Sequence, residues 1–127
     1  MTKPAPAPTV LYGYDKCDTC RKAEKALRAH GIAFIKVALF DAPPDAATFR
    51  DWLQRSALPL KRWINLSGES YRTLVTSRGK DAIAALGPDD FAALFASDGR
   101  LVKRPILLHR GELLVGFDEQ AYAALGQ

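Results

Sequence analysis

The two cysteines of the chain, Cys17 and Cys20, stand two residues apart where an apolar run gives way to a helical pattern. The run 9–12, TVLY, has the β-branched and aromatic residues of a short buried strand. After the second cysteine, apolar residues recur at three- and four-residue spacing, as on one face of a helix. The stretch 33–37, AFIKV, follows as a second strand. Strand, helix and strand within about 30 residues predict a βαβ unit with parallel strands.

The remainder of the chain predicts helices and then a hairpin. Residues 42–97 contain three helical patterns bounded by glycine or proline, and no strand is expected there. Strands are predicted at 105–109 and 113–116, joined by a tight turn at Arg110 and Gly111, and a last helix at 118–125. With the C-x-x-C pair, this order predicts an α/β fold, a thioredoxin-like mixed four-stranded sheet (β-α-β … β-β-α) with an inserted all-helical subdomain. The predicted divisions are a leader at 1–8, a thioredoxin-like domain at 9–41 and 99–127, and the inserted subdomain at 42–98.

Composition places the chain among soluble globular proteins. Of its 127 residues, 48% are hydrophobic and 25% are charged, which is ordinary for one folded domain. The net charge of +4 is spread over helical faces without a basic tract, so we expect no direct binding of nucleic acid. No stretch resembles a signal peptide or a membrane span, and the expected location is the cytoplasm. Thiols stay reduced there unless they are transient, catalytic or sensing.

Three interpretations of the C-x-x-C pair are open. A zinc site needs about four ligands, and the chain has no third cysteine and no closely spaced histidine pair, so no metal is expected. A purely structural pair of small apolar residues fits Cys20, which lies on the apolar side of the helical pattern. It fits Cys17 poorly, because that residue lies in the polar turn YDKCDT at the start of the helix.

A redox pair is the third interpretation, and it has a mechanism. A thiol at a helix N-terminus faces unpaired backbone N–H groups and the positive end of the helix dipole, which lower its pKa. Arg21 adds positive charge nearby in the sequence. Because the thiolate is the nucleophile, Cys17 is predicted to attack the substrate. Cys20, one helical turn further on, is placed to resolve a mixed disulfide on Cys17.

A second candidate site lies in KRPILL, residues 103–108. A proline at the start of a strand is usually a feature of a sheet edge. In proteins with a thioredoxin-like fold, however, a proline at this point is typically cis and faces the active cysteine, and Pro105 would take that position. Arg104 would then lie beside the thiolate, where its guanidinium would stabilise the anion or hold an anionic substrate.

Four stretches together resemble the signature segments of the arsenate reductase (ArsC) family, and most closely its YffB- and Spx-like branches. They are LYGYDKCDTCRKAEKALRAHGI, NLSGESYRTL, KRPILL and LLVGFDEQAY, and the resemblance runs from about residue 9 to the C-terminus. It implies a thioredoxin-like fold with an inserted helical domain. It also implies a reactive cysteine at Cys17 and an Arg–cis-Pro pair at Arg104 and Pro105.

The branches of this family differ in chemistry. Glutaredoxin-coupled arsenate reductases surround the oxyanion with arginines, and motif matching places one of these on Arg104 and the other two on Asn65 and Gly116. The last two positions lack a guanidinium, although a dianion needs several charge-assisted contacts to offset its desolvation. Spx-type members carry a C-x-x-C pair and bind the RNA polymerase α subunit as redox-sensitive regulators. YffB-type members are taken to be glutathione-dependent thiol reductases.

The sequence therefore predicts a cytosolic thiol–disulfide oxidoreductase with no bound cofactor and with glutathione as co-substrate. Cys17 attacks, Arg104 stabilises the thiolate or the anionic substrate, and Cys20 or a second glutathione resolves the intermediate. The predicted substrate-binding residues are Arg104, Pro105, Lys103 and Arg21. The expected partners are glutathione or a small thiol or disulfide substrate, with glutaredoxin as a further candidate. Two alternatives stay open: an Spx-like redox sensor that binds the RNA polymerase α subunit, and a glutaredoxin-coupled arsenate reductase.

Overall fold

The computed structural model describes residues 8–125, so the predicted leader lies outside it apart from Pro8. The elements in chain order are β1 (Val10–Gly13), α1 (Asp18–Ala29), β2 (Ile35–Ala38), α2 (Ala46–Arg55), a 3₁₀ helix (Leu60–Trp63), α3 (Glu69–Arg78), α4 (Lys80–Ala84), α5 (Pro88–Ser97), β3 (Ile106–His109), β4 (Glu112–Val115) and α6 (Glu119–Ala123). None of these helices is long and apolar enough to cross a membrane. The chain divides into two compact units, one running up to Val37 and resuming at Arg104, the other spanning Ala38–Lys103. The second unit extends beyond the predicted insert, 42–98, at both ends.

The first unit is built on a mixed sheet with the strand order β2-β1-β3-β4. β1 pairs with β3 and β3 with β4, both antiparallel, and the Ile35 N–H at β2 donates to the Thr9 carbonyl at 2.8 Å. Leu11 of β1 lies opposite Leu107 of β3, and both side chains are buried in one apolar cluster with residues of α1 and α6. The predicted fold class, a mixed four-stranded α/β sheet with a helical insert, is confirmed.

Helix α1 carries the cysteine pair and has the expected start and stop signals. Asp18 lies in its first turn and Arg28 in its last, so each charge faces the helix pole of opposite sign. Gly31 follows with φ 71°, and its N–H donates to the Arg28 carbonyl at 3.1 Å. That conformation favours glycine, which explains why the helix ends here. One face is buried, comprising Cys20, Ala23, Glu24 and Leu27.

The predicted tight turn between β3 and β4 consists of Arg110 (φ 50°) and Gly111 (φ 83°). Positive φ values at both positions are those of a type I′ turn, whose twist suits a two-residue hairpin. The left-handed conformation costs an ordinary L residue about 1–2 kcal/mol, whereas asparagine tolerates it. Arg110 therefore holds a backbone conformation that is unfavourable for its residue type.

We expect Arg110→Asn to raise the free energy of unfolding by about 0.5–1 kcal/mol, because asparagine enters the left-handed region at lower cost. The measurement is urea unfolding followed by circular dichroism, read as a higher midpoint at an unchanged m-value. Arg110→Lys is the matched control, since lysine keeps the conflict with φ and should leave the midpoint where it is. A midpoint that fails to rise for Arg110→Asn would mean that the turn accepts arginine without cost.

The core of the second unit lies between α2 and α5, whose aromatic rings are in contact. Phe49 and Phe95 are fully buried with ring centroids 5.4 Å apart, and Trp52 meets Phe49 edge-on. Asp45 caps α2 by accepting the Thr48 N–H at 2.8 Å, and this hydrogen bond lowers the pKa of Asp45. The three helices predicted here are present as α2, α3 and α5. The sequence did not predict α4 or the 3₁₀ helix, because five and four residues are too short for an apolar period to show.

Candidate functional site

Cys17 caps the N-terminus of α1 with its own side chain. Its backbone is extended (φ −98°, ψ 120°), and its sulfur accepts the Cys20 N–H at 3.4 Å. The Cys17 N–H donates to the Tyr14 carbonyl at 3.2 Å, and the Arg21 N–H donates to the Cys17 carbonyl at 3.0 Å. The thiol is therefore held at the positive end of the helix dipole, the place that the sequence pattern predicts for it.

The surroundings of the Cys17 sulfur favour its ionised form. The thiol is partly buried, and burial alone would raise its pKa. Hydrogen bonds with the Cys20 thiol, with the Thr19 hydroxyl at 3.1 Å and with the Cys20 N–H act in the opposite direction. A hydrogen bond with the Arg104 side chain adds to them. Together they hold the pKa of Cys17 below its ordinary value, so the thiolate forms more readily than on a free cysteine.

Cys20 has the opposite character. Its side chain is 1% exposed, and burial raises the pKa of Cys20 to about 12. The hydrogen bond between the two thiols also raises this pKa, because it stabilises the Cys20 proton between the sulfurs. Both thiols are free in this structure. At neutral pH the pair therefore offers one activated, accessible sulfur and one buried sulfur that keeps its proton until it is needed.

Gly13 lies against Cys20, and Tyr122 is near enough for the charge of Cys20 to affect its pKa. Neither residue was identified from the sequence as part of the site. A Cβ atom at Gly13 would lie 3.0 Å from Cys20 Sγ and 3.9 Å from Pro105 Cβ, so the absent side chain leaves room for the buried sulfur. Tyr122 is 1% exposed, and burial, followed by the nearby Cys20 charge, raises the pKa of its phenol. No sequence signal connects Gly13 or Tyr122 with the cysteine, because strand and helix order alone do not show which side chains meet.

Arg104 and Pro105 lead into β3, and the peptide bond between them is cis. Pro105 is buried, and its carbonyl accepts the Gly116 N–H at 2.8 Å. Gly116 has φ 78°, a conformation that disfavours a residue with a side chain, so this position supplies a backbone donor to the proline. The Thr19 hydroxyl lies 3.5 Å from the Arg104 carbonyl, at the long limit of a hydrogen bond. The structure thus brings Cys17, Cys20, Arg104 and Pro105 together in the first unit.

Arg21, a predicted substrate-binding residue, is engaged by the loop that precedes Cys17. Its Nε donates to the Asp15 carbonyl at 3.0 Å, and its guanidinium lies 3.7 Å from the Asp18 carboxylate. Lys36 of β2 lies 2.8 Å from the Asp15 carboxylate and 3.2 Å from that of Glu24. These contacts fasten the cysteine loop to α1 and β2, and they give Arg21 a structural role in addition to its charge.

Lys103, the remaining predicted substrate-binding residue, belongs to the second unit. Its N–H donates to the Trp63 carbonyl at 2.8 Å, and its side chain is exposed beside Asn65 in a surface pocket. The side-chain amide of the neighbouring Asn65 donates to the Arg100 carbonyl at 3.4 Å. Residues 8–125 contain no group of three or more histidine, cysteine or acidic side chains that could hold a metal ion.

The pKa values of the Cys17 and Cys20 thiols should differ widely. We expect alkylation of the reduced protein by iodoacetamide to show one thiol whose rate rises with pH through a midpoint below about 8.5, the value of a free cysteine. The second thiol should react only as pH approaches about 12, because only the thiolate is alkylated. Tryptic digestion leaves both cysteines in one peptide, residues 17–21, so fragmentation of that peptide by tandem mass spectrometry assigns the early reaction to Cys17 and the late one to Cys20.

Thr19→Val removes one donor to the Cys17 sulfur and should move the early midpoint upward. Thr76→Val is the matched control, because Thr76 is an exposed residue of α3 in the second unit. An early midpoint at or above that of a free cysteine in the wild-type protein would contradict an activated Cys17.

Comparison with known proteins identifies relatives over nearly the whole chain. The profile of the ArsC family matches residues 12–125. The uncharacterised protein YusI of Bacillus subtilis (strain 168) is 36% identical over 112 residues, covering 88% of this chain and 92% of YusI. A crystal structure from Streptococcus mutans UA159, described as a possible arsenate reductase, is 39% identical with a TM-score of 0.78, over 87% of this chain and 92% of that chain. The global transcriptional regulator Spx of Lactiplantibacillus plantarum is 27% identical over 110 residues, which are 87% of this chain and 80% of Spx.

Proposed function

Because the chain belongs to the ArsC family and has its thioredoxin-like fold, we propose that it is a glutathione-dependent thiol–disulfide oxidoreductase with Cys17 as the nucleophile. The observation that carries the proposal is the pairing of a partly exposed thiol of lowered pKa with a buried thiol of raised pKa, one helical turn apart. A thiol–disulfide exchange needs this asymmetry, because the first sulfur must be a thiolate to attack and the second must stay protonated until the mixed disulfide has formed. A reducing compartment such as the cytoplasm suits such a pair.

The reaction proceeds by two thiol–disulfide exchanges. The Cys17 thiolate attacks one sulfur of a disulfide substrate, a mixed disulfide forms, and the other substrate sulfur leaves as a thiolate. Either Cys20 or a second glutathione then attacks. Attack by Cys20, after loss of its proton, gives a Cys17–Cys20 disulfide and releases the second thiol, so the substrate is reduced by two electrons and the protein oxidised by two. Attack by glutathione regenerates the Cys17 thiolate and produces a glutathione mixed disulfide.

Arsenate is a poorer substrate for this set of residues. Arg104 is the one arginine that matches the family's oxyanion contacts, while Asn65 and Gly116 occupy the other two positions. Each charge-assisted hydrogen bond contributes about 1.5–3 kcal/mol, so two absent contacts would weaken binding and turnover of a dianion by roughly 3–6 kcal/mol in total. Glutathione needs fewer charge-assisted contacts, because one arginine, backbone N–H groups and a lysine such as Lys103 can bind its carboxylates.

The proposal is tested by offering both substrates to the same protein. We expect glutathione disulfide to yield a Cys17–glutathione adduct in mass spectra of Cys20→Ala. We expect the wild type to catalyse the reduction of bis(2-hydroxyethyl) disulfide by glutathione, followed as NADPH consumption in the presence of glutathione reductase. A glutaredoxin-coupled assay with arsenate should show little turnover. Arsenate reduction at about 1 s⁻¹ or faster, an ordinary enzymatic rate, would instead identify the protein as an arsenate reductase.

Arg104 is expected to stabilise the attacking thiolate. Arg104→Ala should slow formation of the glutathione mixed disulfide about tenfold and raise the pKa of Cys17, because a charge-assisted hydrogen bond is lost. Arg104→Lys should recover only part of that rate, since lysine lacks the planar fork. Stopped-flow rates at several pH values separate the two effects. Arg78→Ala is the control, because Arg78 is an exposed arginine of α3. Equal rates for Arg104→Ala and the wild type would show that Arg104 takes no part in the reaction.

A second candidate function is a redox-sensitive regulator that binds the RNA polymerase α subunit. The C-x-x-C pair and the similarity to Spx favour it. In that case the Cys17–Cys20 disulfide acts as a switch, and the protein turns over no small substrate. A pull-down of the reduced and oxidised protein with purified α subunit distinguishes the two functions. Capture of α subunit by one redox form only, with no catalysis of disulfide reduction by glutathione, would favour the regulator.

A further inference from the structure

The second unit contains a small surface pocket with a rigid floor. Its volume is about 340 Å³. Two short segments form the floor, since Ile64 and Val102 make an antiparallel bridge and hydrogen bonds flank it on both sides. The Lys103 N–H donates to the Trp63 carbonyl, and the Asn65 N–H donates to the Leu101 carbonyl, both at 2.8 Å. Trp63 and Val102 are fully buried, so the side chains that face the pocket start from a fixed backbone.

Three positive side chains and no acidic one line this pocket. They belong to Lys61, Arg62 and Lys103, and all three residues are exposed. Within the described part of the chain, none of them has a carboxylate at ion-pair distance. Arg50 and Arg55 of the same unit, by contrast, pair with acidic neighbours at 3.2 and 3.6 Å. Positive charge is thus concentrated around one concavity and is not neutralised there.

The loop 64–68 adds neutral polar groups and an apolar wall. Asn65 and Ser67 line the pocket, with the Ser67 hydroxyl donating weakly to the Asn65 side-chain oxygen at 3.5 Å. The loop leads into α3 through Gly68, which is the N-cap residue of that helix. Leu66 is 41% exposed although it is a large apolar residue, and it lines the same pocket. A ligand held here would meet positive charge, polar groups and one apolar surface.

We propose that this pocket binds a small organic oxyanion, a phosphate monoester or a carboxylate, with the charged group at Lys61, Arg62 and Lys103 and its apolar part against Leu66. Arginine matches the geometry of phosphate and carboxylate oxygens with two donors, and the lysines add point charges. The volume lies near the lower end of small-molecule sites, about 300–1,000 Å³. Lys103 is also proposed above as a contact for a glutathione carboxylate, but oxyanion binding in this pocket requires no reaction at Cys17.

The test is a titration of the reduced full-length protein, followed by amide chemical shifts in ¹⁵N-labelled samples. The probes are phenyl phosphate, benzoate and inorganic phosphate, which separate the contributions of charge, oxyanion type and the apolar group. Phenyl phosphate should produce saturable shifts at residues 61–67 and 103, with a dissociation constant of about 1 mM. Benzoate should bind more weakly if the site prefers a dianion, and inorganic phosphate more weakly because it makes no contact with Leu66. The same titration on Cys17→Ser should give the same constant, so failure of the thiol chemistry would leave this result unaffected.

Charge-removing variants decide whether the pocket is responsible. Lys61→Gln, Arg62→Gln and Lys103→Gln should each weaken phenyl phosphate binding about fivefold, allowing for solvent screening of exposed charges. Arg78→Gln and Lys80→Gln remove the same charge from exposed positions of the same unit outside the pocket. They should leave the constant unchanged. No saturable shift up to about 20 mM of any probe, equal weakening by the control variants, or shifts centred on other residues would each overturn the proposal.

Discussion

Cys17→Ser should abolish thiol–disulfide exchange, lowering the rate of reaction with glutathione disulfide by at least about 10³-fold. A serine hydroxyl at the same helix N-terminus is not ionised at neutral pH and is a far weaker nucleophile toward sulfur. Without added glutathione, Cys20→Ala should retain the first exchange and lack the resolving thiol, so a mixed disulfide accumulates on Cys17. Stopped-flow kinetics combined with mass spectrometry of quenched samples distinguishes these two outcomes.

The comparison requires that both variants remain folded. Cys17 is partly exposed, so serine should fit there at little cost. Cys20 is buried beside Gly13, and alanine is chosen at this position because it leaves no buried hydroxyl without a partner. Circular dichroism and urea midpoints check both proteins. A Cys17→Ser protein that still exchanges with glutathione disulfide at the wild-type rate would show that Cys17 is not the nucleophile.

The local part of the site could be predicted from the sequence, and the part assembled by the fold could not. The position of Cys17 followed from a strand, a polar turn and an apolar helical period, all within about 30 residues. Thr19, which contacts the Cys17 sulfur, lies two residues away, and a hydroxyl so close to a capping thiol was a signal that could have been used. Gly13 and Tyr122 gave no such signal, because their positions relative to Cys20 depend on how β1, α1 and α6 pack.

The same division applies to the fold. The hairpin at Arg110 and Gly111 was predictable because turn chemistry and the flanking apolar runs agree. The solvent exposure of β2 was not predictable, because the stretch AFIKV has the composition of a buried strand. In the structure β2 lies at the edge of the sheet, and Ile35 is 52% exposed. Strand order decides which apolar strand is covered, and strand order is a property of the whole chain.

Gly99 in the second unit is a further feature that composition and periodicity do not reveal. In the sequence ASDGR it has the appearance of an ordinary loop glycine. In the structure it is buried, and the backbone of Leu39 passes directly against its Cα. A Cβ atom there would overlap the Leu39 carbonyl oxygen and lie 2.8 Å from the carbonyl carbon. Backbone atoms cannot rotate away as the end of a flexible side chain can, so the crowding has to be relieved by moving a chain segment.

We therefore expect Gly99→Ala to be among the most damaging single substitutions, lowering the free energy of unfolding by about 3–5 kcal/mol. The measurement is urea unfolding by circular dichroism, with tryptophan fluorescence as a second probe because Trp52 and Trp63 lie in the same unit. Gly87→Ala is the matched control: Gly87 has φ −103°, and the nearest atom to an added Cβ would be 4.0 Å away. That change should cost about 1 kcal/mol or less, the loss expected at a helix N-cap. Equal midpoints for Gly99→Ala and Gly87→Ala would show that residues 39 and 99 separate easily, and that the close packing of these two segments contributes little to stability.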